Sequence, residues 1–258
     1  MDYNQIFTDQ LDTIKAEGRY RSFAPLERLC NQFPKAIYHA PDGKSKEVTI
    51  WCSNDYLGMG QNTVVLDAMK DAIVKHGAGA GGTRNISGTQ KLHVELEKSL
   101  ANLHQKEAAL VFSSGYVANE GSLSALIKLL DNPIVFSDAL NHASMIHGIK
   151  SVPCKKHIYR HNDLEHLEIL LKNADVERPK IIAFESVYSM EGDIAPIAEI
   201  CALAKKYNTL TYLDEVHAVG LYGPRGGGIA EQRGILDQVD ILEGTFGKAY
   251  GVMGGFIT

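Results

Sequence analysis

Lys180-Ile181-Ile182-Ala183-Phe184-Glu185 and, after a helical pattern from Pro196 to Lys206, Leu210-Thr211-Tyr212-Leu213-Asp214 decide the fold of this chain. Each flanking run is short, apolar at its centre and rich in β-branched and aromatic residues, whereas the segment between them repeats its apolar residues at helical spacing. A strand, a helix and a second strand in that order make a right-handed crossover between parallel neighbours. Runs without a polar alternation are strands covered on both faces. The same alternation continues outward through Ala108 to Phe112, Ile134 to Ser137 and His157 to Arg160, then a helix from Asp163 to Lys172 capped by Asn162, and finally Val239 to Leu242. The expected fold is α/β, a three-layer αβα arrangement around a mostly parallel sheet.

Toward the N-terminus the pattern changes. Ile6, Phe7, Leu11 and Ile14 stripe an opening helix that ends near Gly18, and Ala36 to His39 and Val48 to Cys52 flank the turn Pro41-Asp42-Gly43-Lys44, which reads as a hairpin. A helix begins at Asn62 and stops at Gly77; the glycine-rich stretch Gly77 to Gly88 follows, and then a helix capped by Thr89 and striped by Leu92, Leu96, Leu100 and Leu103. The expected division is an N-terminal helix-and-hairpin segment over 1–60 and a sheet domain over 61–258.

Composition narrows the function. With 258 residues, a formal net charge of -5 and 45% hydrophobic residues, the chain reads as folded and water-soluble, without the positive field that would attract nucleic acid or an anionic membrane. Its apolar runs are far shorter than a bilayer span, and Met1 to Ile14 has no apolar leader core, so a cytoplasmic protein is expected. Cys30, Cys52, Cys154 and Cys201 are scattered without ligand-like spacing, which predicts neither zinc nor a disulfide framework.

In such sheets ligands gather at the carboxyl ends of the strands. Gly77-x-Gly79-x-x-Gly82 matches a dinucleotide fingerprint as a string, but a helix precedes it where a strand is required, so it is a loop that is either flexible or substrate-covering. Ser113-Ser114-Gly115-Tyr116 follows a strand and opens a helix, a place for a phosphate or an ordinary turn. Asp214 is a carboxylate delivered by an apolar strand, suited to a protonated pyridine nitrogen or to capping a neighbouring turn. Lys248 lies among small residues beyond another strand with Thr245 nearby, as a Schiff-base lysine requires, though a solvated lysine would look the same. His142 and His217 follow strands at the same edge, one placed to stack on an aromatic cofactor and the other to donate to a phenolic or carbonyl oxygen.

As a set these residues resemble the α-oxoamine synthases, fold-type I pyridoxal 5'-phosphate (PLP) enzymes, and among them the 5-aminolevulinate synthases of the bacterial type. The resemblance runs along essentially the whole chain, through Glu17 to Arg21, Trp51 to Gly60, Gly79 to Thr89, Asp138 to Ile146, Phe184 to Gly192, Leu213 to Gly228 and Gly244 to Gly255. Gly82 to Thr89 together with Arg21 is its more specific part. The resemblance implies that 61–258 is a PLP-binding large domain, that glycine and succinyl-CoA condense with loss of CO2 and CoA to give 5-aminolevulinate for haem and tetrapyrrole synthesis, and that two copies share their sites as a homodimer. The nearest alternatives are 2-amino-3-ketobutyrate CoA ligase, 8-amino-7-oxononanoate synthase, or a catalytically silent scaffold subunit of the same fold.

Residue by residue, the resemblance makes Lys248 the lysine that holds the cofactor and moves the proton, Asp214 the partner of the ring nitrogen, and His142 the ring stacker. Ser189 and His217 fall around the phenolic oxygen, and Gly115, Tyr116 and Thr245 at the phosphate. Arg21, Thr83, Asn85 and Ser137 resemble contacts to the succinyl-CoA end, Lys156 a CoA contact and Asn54 a contact to the glycine carboxylate. The family continues past the position of Thr258 into a second, small domain, so the expectation is a large domain seen without it.

Overall fold

The computed structural model describes residues 1–258 and divides into two compact units, Met1–Ser53 and Asn54–Thr258. In the first, α1 (Tyr3–Ala16) is capped by Asp2, whose carboxylate accepts from the N–H groups of Asn4 and Gln5. A three-stranded antiparallel sheet follows, in the order β1 (Leu26–Arg28), β2 (Lys35–His39) and β3 (Ser45–Thr49). β2 and β3 are the hairpin that the Pro41-Asp42-Gly43-Lys44 turn predicts. β1 is too short and too polar to stand out in the sequence.

The second unit opens with α2 (Thr63–His76), capped by Asn62 and closed at Gly77, and α3 (Lys91–Leu103). Seven strands and five helices then alternate: β4 (Leu110–Phe112), α4 (Gly115–Leu129), β5 (Ile134–Asp138), α5 (Ala143–Lys150), β6 (Lys155–Tyr159), α6 (Leu164–Lys172), β7 (Lys180–Glu185), α7 (Ile197–Lys206), β8 (Leu210–Asp214), α8 (Ile229–Gln232), β9 (Ile241–Thr245) and β10 (Gly255–Ile257). The sheet order is β4-β10-β9-β8-β7-β5-β6, parallel throughout except for β10, which runs antiparallel to both its neighbours. β7 and β8 coincide with the two runs that decide the fold, because wholly buried parallel strands leave the plainest mark in a sequence.

Alternate residues of the strands build two cores. Val135, Ile181, Ala183 and Tyr212 pack with Leu123, Ile127, Met145 and Ile149 of α4 and α5. Phe136, Ile182, Phe184, Leu213 and Leu242 pack on the other side with Leu167 and Leu171 of α6 and Ile197 and Ile200 of α7. This is the three-layer arrangement.

Two helix starts differ from expectation. α6 is capped by Asp163, whose carboxylate accepts from His166 N at 2.8 Å, while Asn162 sits before it in the left-handed region at φ 52°, a conformation asparagine tolerates. α3 takes Gln90 as its cap residue, with Gln90 N donating to His93 Nδ1 at 3.1 Å; the Thr89 hydroxyl instead closes the preceding turn by donating to Arg84 O. No helix is long and apolar enough to cross a membrane.

Candidate active site

The carboxyl ends of β4, β7, β8 and β9 meet around a cavity of about 240 Å³. Lining it are Asn54, Gly115, Tyr116, His142, Asp214, His217, Thr245 and Lys248, so eight of the residues singled out by sequence come together at one place.

Asp214 ends β8 and is 3% exposed. Asn119, one turn into α4, donates to its Oδ2 at 2.7 Å, and Val216 N donates to Oδ1 at 2.8 Å. Asn119 is fixed in turn, because its Oδ1 accepts from the Tyr212 hydroxyl at 2.9 Å and its Nδ2 also reaches Ser144 Oγ at 3.1 Å. Ser144 Oγ meets His142 Nδ1 at 2.7 Å. One chain of hydrogen bonds thus orients the carboxylate at the floor and the imidazole at the side, and such linked buried networks hold their members more rigidly than isolated pairs do.

Lys248 is half-buried in the turn between β9 and β10. Burial lowers its pKa, while Asp214, Glu243 and Glu185 pull the other way. The turn is held by Thr245, whose hydroxyl donates to Gly254 O at 3.0 Å and accepts from Gly247 N at 3.1 Å. Gly251 within it adopts φ 70°, and a Cβ there would stand 2.1 Å from Gly60 N, so only glycine lets the two loops close.

Their surroundings push both histidines toward the neutral form. Burial, reinforced by Lys248, depresses His217 to about 4, and burial lowers His142 although its ring opens to the cavity. Tyr56 OH meets His217 Nδ1 at 2.8 Å; with the tyrosine donating, the ring carries its hydrogen on Nε2. α4 begins at the cavity with Ser114 Oγ accepting from Val117 N at 3.1 Å, and its first turn leaves N–H groups at Gly115 and Tyr116 for an anion. Gly115 packs tightly here, since a Cβ would stand 3.1 Å from both Glu243 Oε1 and Thr245 Oγ1.

The remaining singled-out residues are not among those that line this cavity. Ser189 is exposed in the loop after β7, and Thr83 and Asn85 are exposed in and beside the π-helical turn Arg84–Gly88. Ser137 and Lys156 share a separate cavity of about 270 Å³ with Ile146, Ile149 and Ile158. Arg21 is exposed in the first unit.

Sequence reading missed Tyr56, Asn119, Ser144 and Glu185, all of which belong to this site. Glu185 was legible by the rule that found Asp214: it ends β7, is 3% exposed, and accepts from His142 N at 2.6 Å. Burial and then the neighbouring Asp214 push its pKa up to about 9. Asn119 and Tyr56 carry no local signal, because only the fold brings them to the floor and rim.

A neutral imidazole, an ionisable lysine, a buried carboxylate with its own donors and a helix N-terminus converge here as they do in enzymes that hold a phosphorylated, nitrogen-containing ring. The sequence pattern of the aminotransferase class I and II family matches residues 46–258, and the chain belongs to that family. It is 58% identical over 258 residues to 5-aminolevulinate synthase 2 of Cereibacter sphaeroides, covering 100% of this chain and 63% of that protein, and 60% identical over 258 residues to 5-aminolevulinate synthase of Rhizobium meliloti, covering 100% of this chain and 64% of that one. Among solved structures, a serine palmitoyltransferase from S. paucimobilis with PLP and myriocin bound superposes with a TM-score of 0.86 at 32% identity, covering 100% of this chain and 64% of that chain. The chain thus spans somewhat less than two thirds of the length of the relatives it matches.

Proposed function

We propose that this chain carries the cofactor site of a 5-aminolevulinate synthase, which condenses glycine with succinyl-CoA in the bacterial cytoplasm and works as a homodimer. The observation that carries the proposal is the convergence of Lys248, Asp214 and His142 on one cavity; the identities to named 5-aminolevulinate synthases support the choice of substrates.

The donor set fits PLP. Asp214 would hold a proton on the ring nitrogen, His142 would cover a ring face, the first turn of α4 would receive the phosphate, and Lys248 would supply the amine that binds the aldehyde. Thr245 serves here through the turn it braces, since its hydroxyl is already engaged on both sides. Bound PLP supplies an electron sink for the pair left on the amino-acid carbon when a proton or carboxyl group departs.

The chain's own groups do the rest. A lysine whose pKa is lowered by burial is closer to the free amine that takes a proton from the Cα of glycine and later returns it. His217, neutral and anchored by Tyr56, is placed to donate from Nε2 to an oxygen that gains charge as the thioester is attacked. Asn54 at the rim suits the glycine carboxylate. Arg21, Thr83, Asn85 and Ser137 are proposed for the succinyl-CoA end, Lys156, which shares a cavity with Ser137, for CoA, and Ser189 for the phenolic oxygen.

The test is direct. The purified chain should develop the absorbance of lysine-bound PLP and lose it in Lys248→Ala. Glycine-dependent release of CoA should be faster with succinyl-CoA than with acetyl- or pimeloyl-CoA; a preference for acetyl-CoA would overturn the substrate assignment.

A further inference from the structure

Three carboxyl groups stand side by side at the carboxyl edge of adjacent strands. The parallel registers pair Glu185 of β7 with Asp214 of β8, and Asp214 with Glu243 of β9. Two of them line the cavity; Glu243 does not, and it is 0% exposed.

Glu243 shares a strand face with Thr245 and lies against the start of α4, where its Oε1 is 3.1 Å from the position of a Cβ on Gly115. Neither of its oxygens receives a hydrogen bond from any donor of the chain. Within hydrogen-bonding reach it has another acceptor, the side chain of Asp214. Two ionised carboxylates cannot share such a site, and a wholly buried one without donors or a paired cation is too costly to keep charged. One proton therefore belongs to the pair.

Which partner holds it follows from the donors. Asp214 receives two, from Asn119 and Val216, and these stabilise its ionised form. Glu243 receives none. We propose that Glu243 is a positioning residue that keeps its proton and donates it as a hydrogen bond to Asp214, giving that carboxylate a third donor and leaving it the ionised member of the pair. The other titratable groups facing Glu243 agree with this. Tyr212 beside it is a neutral phenol whose own hydroxyl points to Asn119 and Ser122, Glu185 is itself protonated near neutrality, and Lys248 provides one positive charge, which one ionised Asp214 balances. Burial, with Asp214 next, raises the Glu243 carboxyl well above the usual range.

The consequence for the cofactor rests on the function proposed above. A third donor would fix the Asp214 carboxylate from a side the other two leave open, so the group that faces the ring nitrogen is oriented by a residue that never touches the ring.

Infrared difference spectroscopy of the chain without PLP tests the proton assignment. Wild type minus Glu243→Gln at neutral pH should show the carbonyl stretch of a protonated carboxylic acid that shifts in D2O; a difference spectrum with only carboxylate bands would overturn the proposal. Reconstitution with PLP tests the positioning role. Glu243→Gln keeps an N–H donor toward Asp214 and should preserve the pH profile of the bound-cofactor absorbance, whereas Glu243→Leu should shift it. Identical profiles in wild type, Gln and Leu variants would refute the positioning role. The infrared band is read without cofactor, so its absence defeats the proton assignment whatever PLP does, and failure to take up PLP defeats the function alone.

Discussion

The floor of the cavity and the glycine-rich loop from Gly77 to Thr89 are built on opposite plans. At the floor Asp214, Asn119, Ser144, Tyr212 and Ser122 are all at most 5% exposed and each is hydrogen-bonded to another member. In the loop nearly every residue is exposed, and its main anchor is Arg84, which makes a two-pronged ion pair with Glu97 while Glu97 Oε1 also accepts from Val111 N at 3.0 Å. Buried networks couple their members, so a change at the floor is felt in stability and chemistry together. A loop held by few side-chain anchors separates them, so a change there alters binding and leaves the fold alone.

The largest effect that would sharpen this contrast lies at the floor's edge. Lys248→Ala should lower turnover by about 10²–10⁴-fold, the range for removing a positioned acid–base group, and should shift the denaturation midpoint little, because a half-buried lysine is being truncated. Unchanged turnover would break the assignment of its role.

Next comes Asn119→Leu. It strips a donor from Asp214 and an acceptor from Tyr212 in one step, at a cost of about 1–3 kcal/mol per stranded buried group, measured by urea denaturation. Turnover should fall as well. A loss of activity with no loss of stability would show that the floor is less coupled than its hydrogen bonds imply.

A pH-dependent effect isolates one buried group. His104 is fully buried against Phe256, and burial lowers its pKa from 6.5 to about 4. Between these values the unfolded chain binds a proton that the folded chain refuses, so acidification costs wild type stability. His104→Leu should therefore gain stability relative to wild type as pH falls from 6.5 to 4. A constant difference in urea midpoint across that window would contradict the assignment.

The smallest effects belong to the loop. Arg84→Ala removes a partly exposed ion pair, worth about 1 kcal/mol or less, and Asn85→Ala should leave the melting midpoint and PLP binding unchanged while raising KM for succinyl-CoA. Loss of PLP binding in Asn85→Ala would place the loop in the same cooperative unit as the floor.

Legibility in the sequence followed burial. β7 and β8 stand at the residues their apolar runs mark; Asp214 was visible as a charged residue ending an apolar strand, and Lys248 as a charged residue among small ones in the turn beyond β9. β10 is three residues long and takes its place between β9, the strand just before it, and β4, far away in the chain, so its local composition says nothing of its role. Asn119 and Tyr56 were hidden for a related reason: helix position and loop closure carry them to the site, and neither leaves a periodic signal. The cap of α6 turned on one residue, where Asn162 and Asp163 are equally good formers and only the backbone of Asn162, turned to positive φ, decides between them.

β10 has one further consequence, for the order in which the site is assembled. β4 joins the rest of the sheet only through this strand, and Gly255 lies so close to the start of α4 that a Cβ there would stand 2.4 Å from Gly115 N. Pairing at such long sequence separation is the slow part of folding, so the two sides of the cavity, one from the β4–α4 turn and one from the β9–β10 turn, close on each other late. A ligand that touches both turns is a clasp across the last seam, and its binding free energy adds to the stability of the closed sheet by mass action.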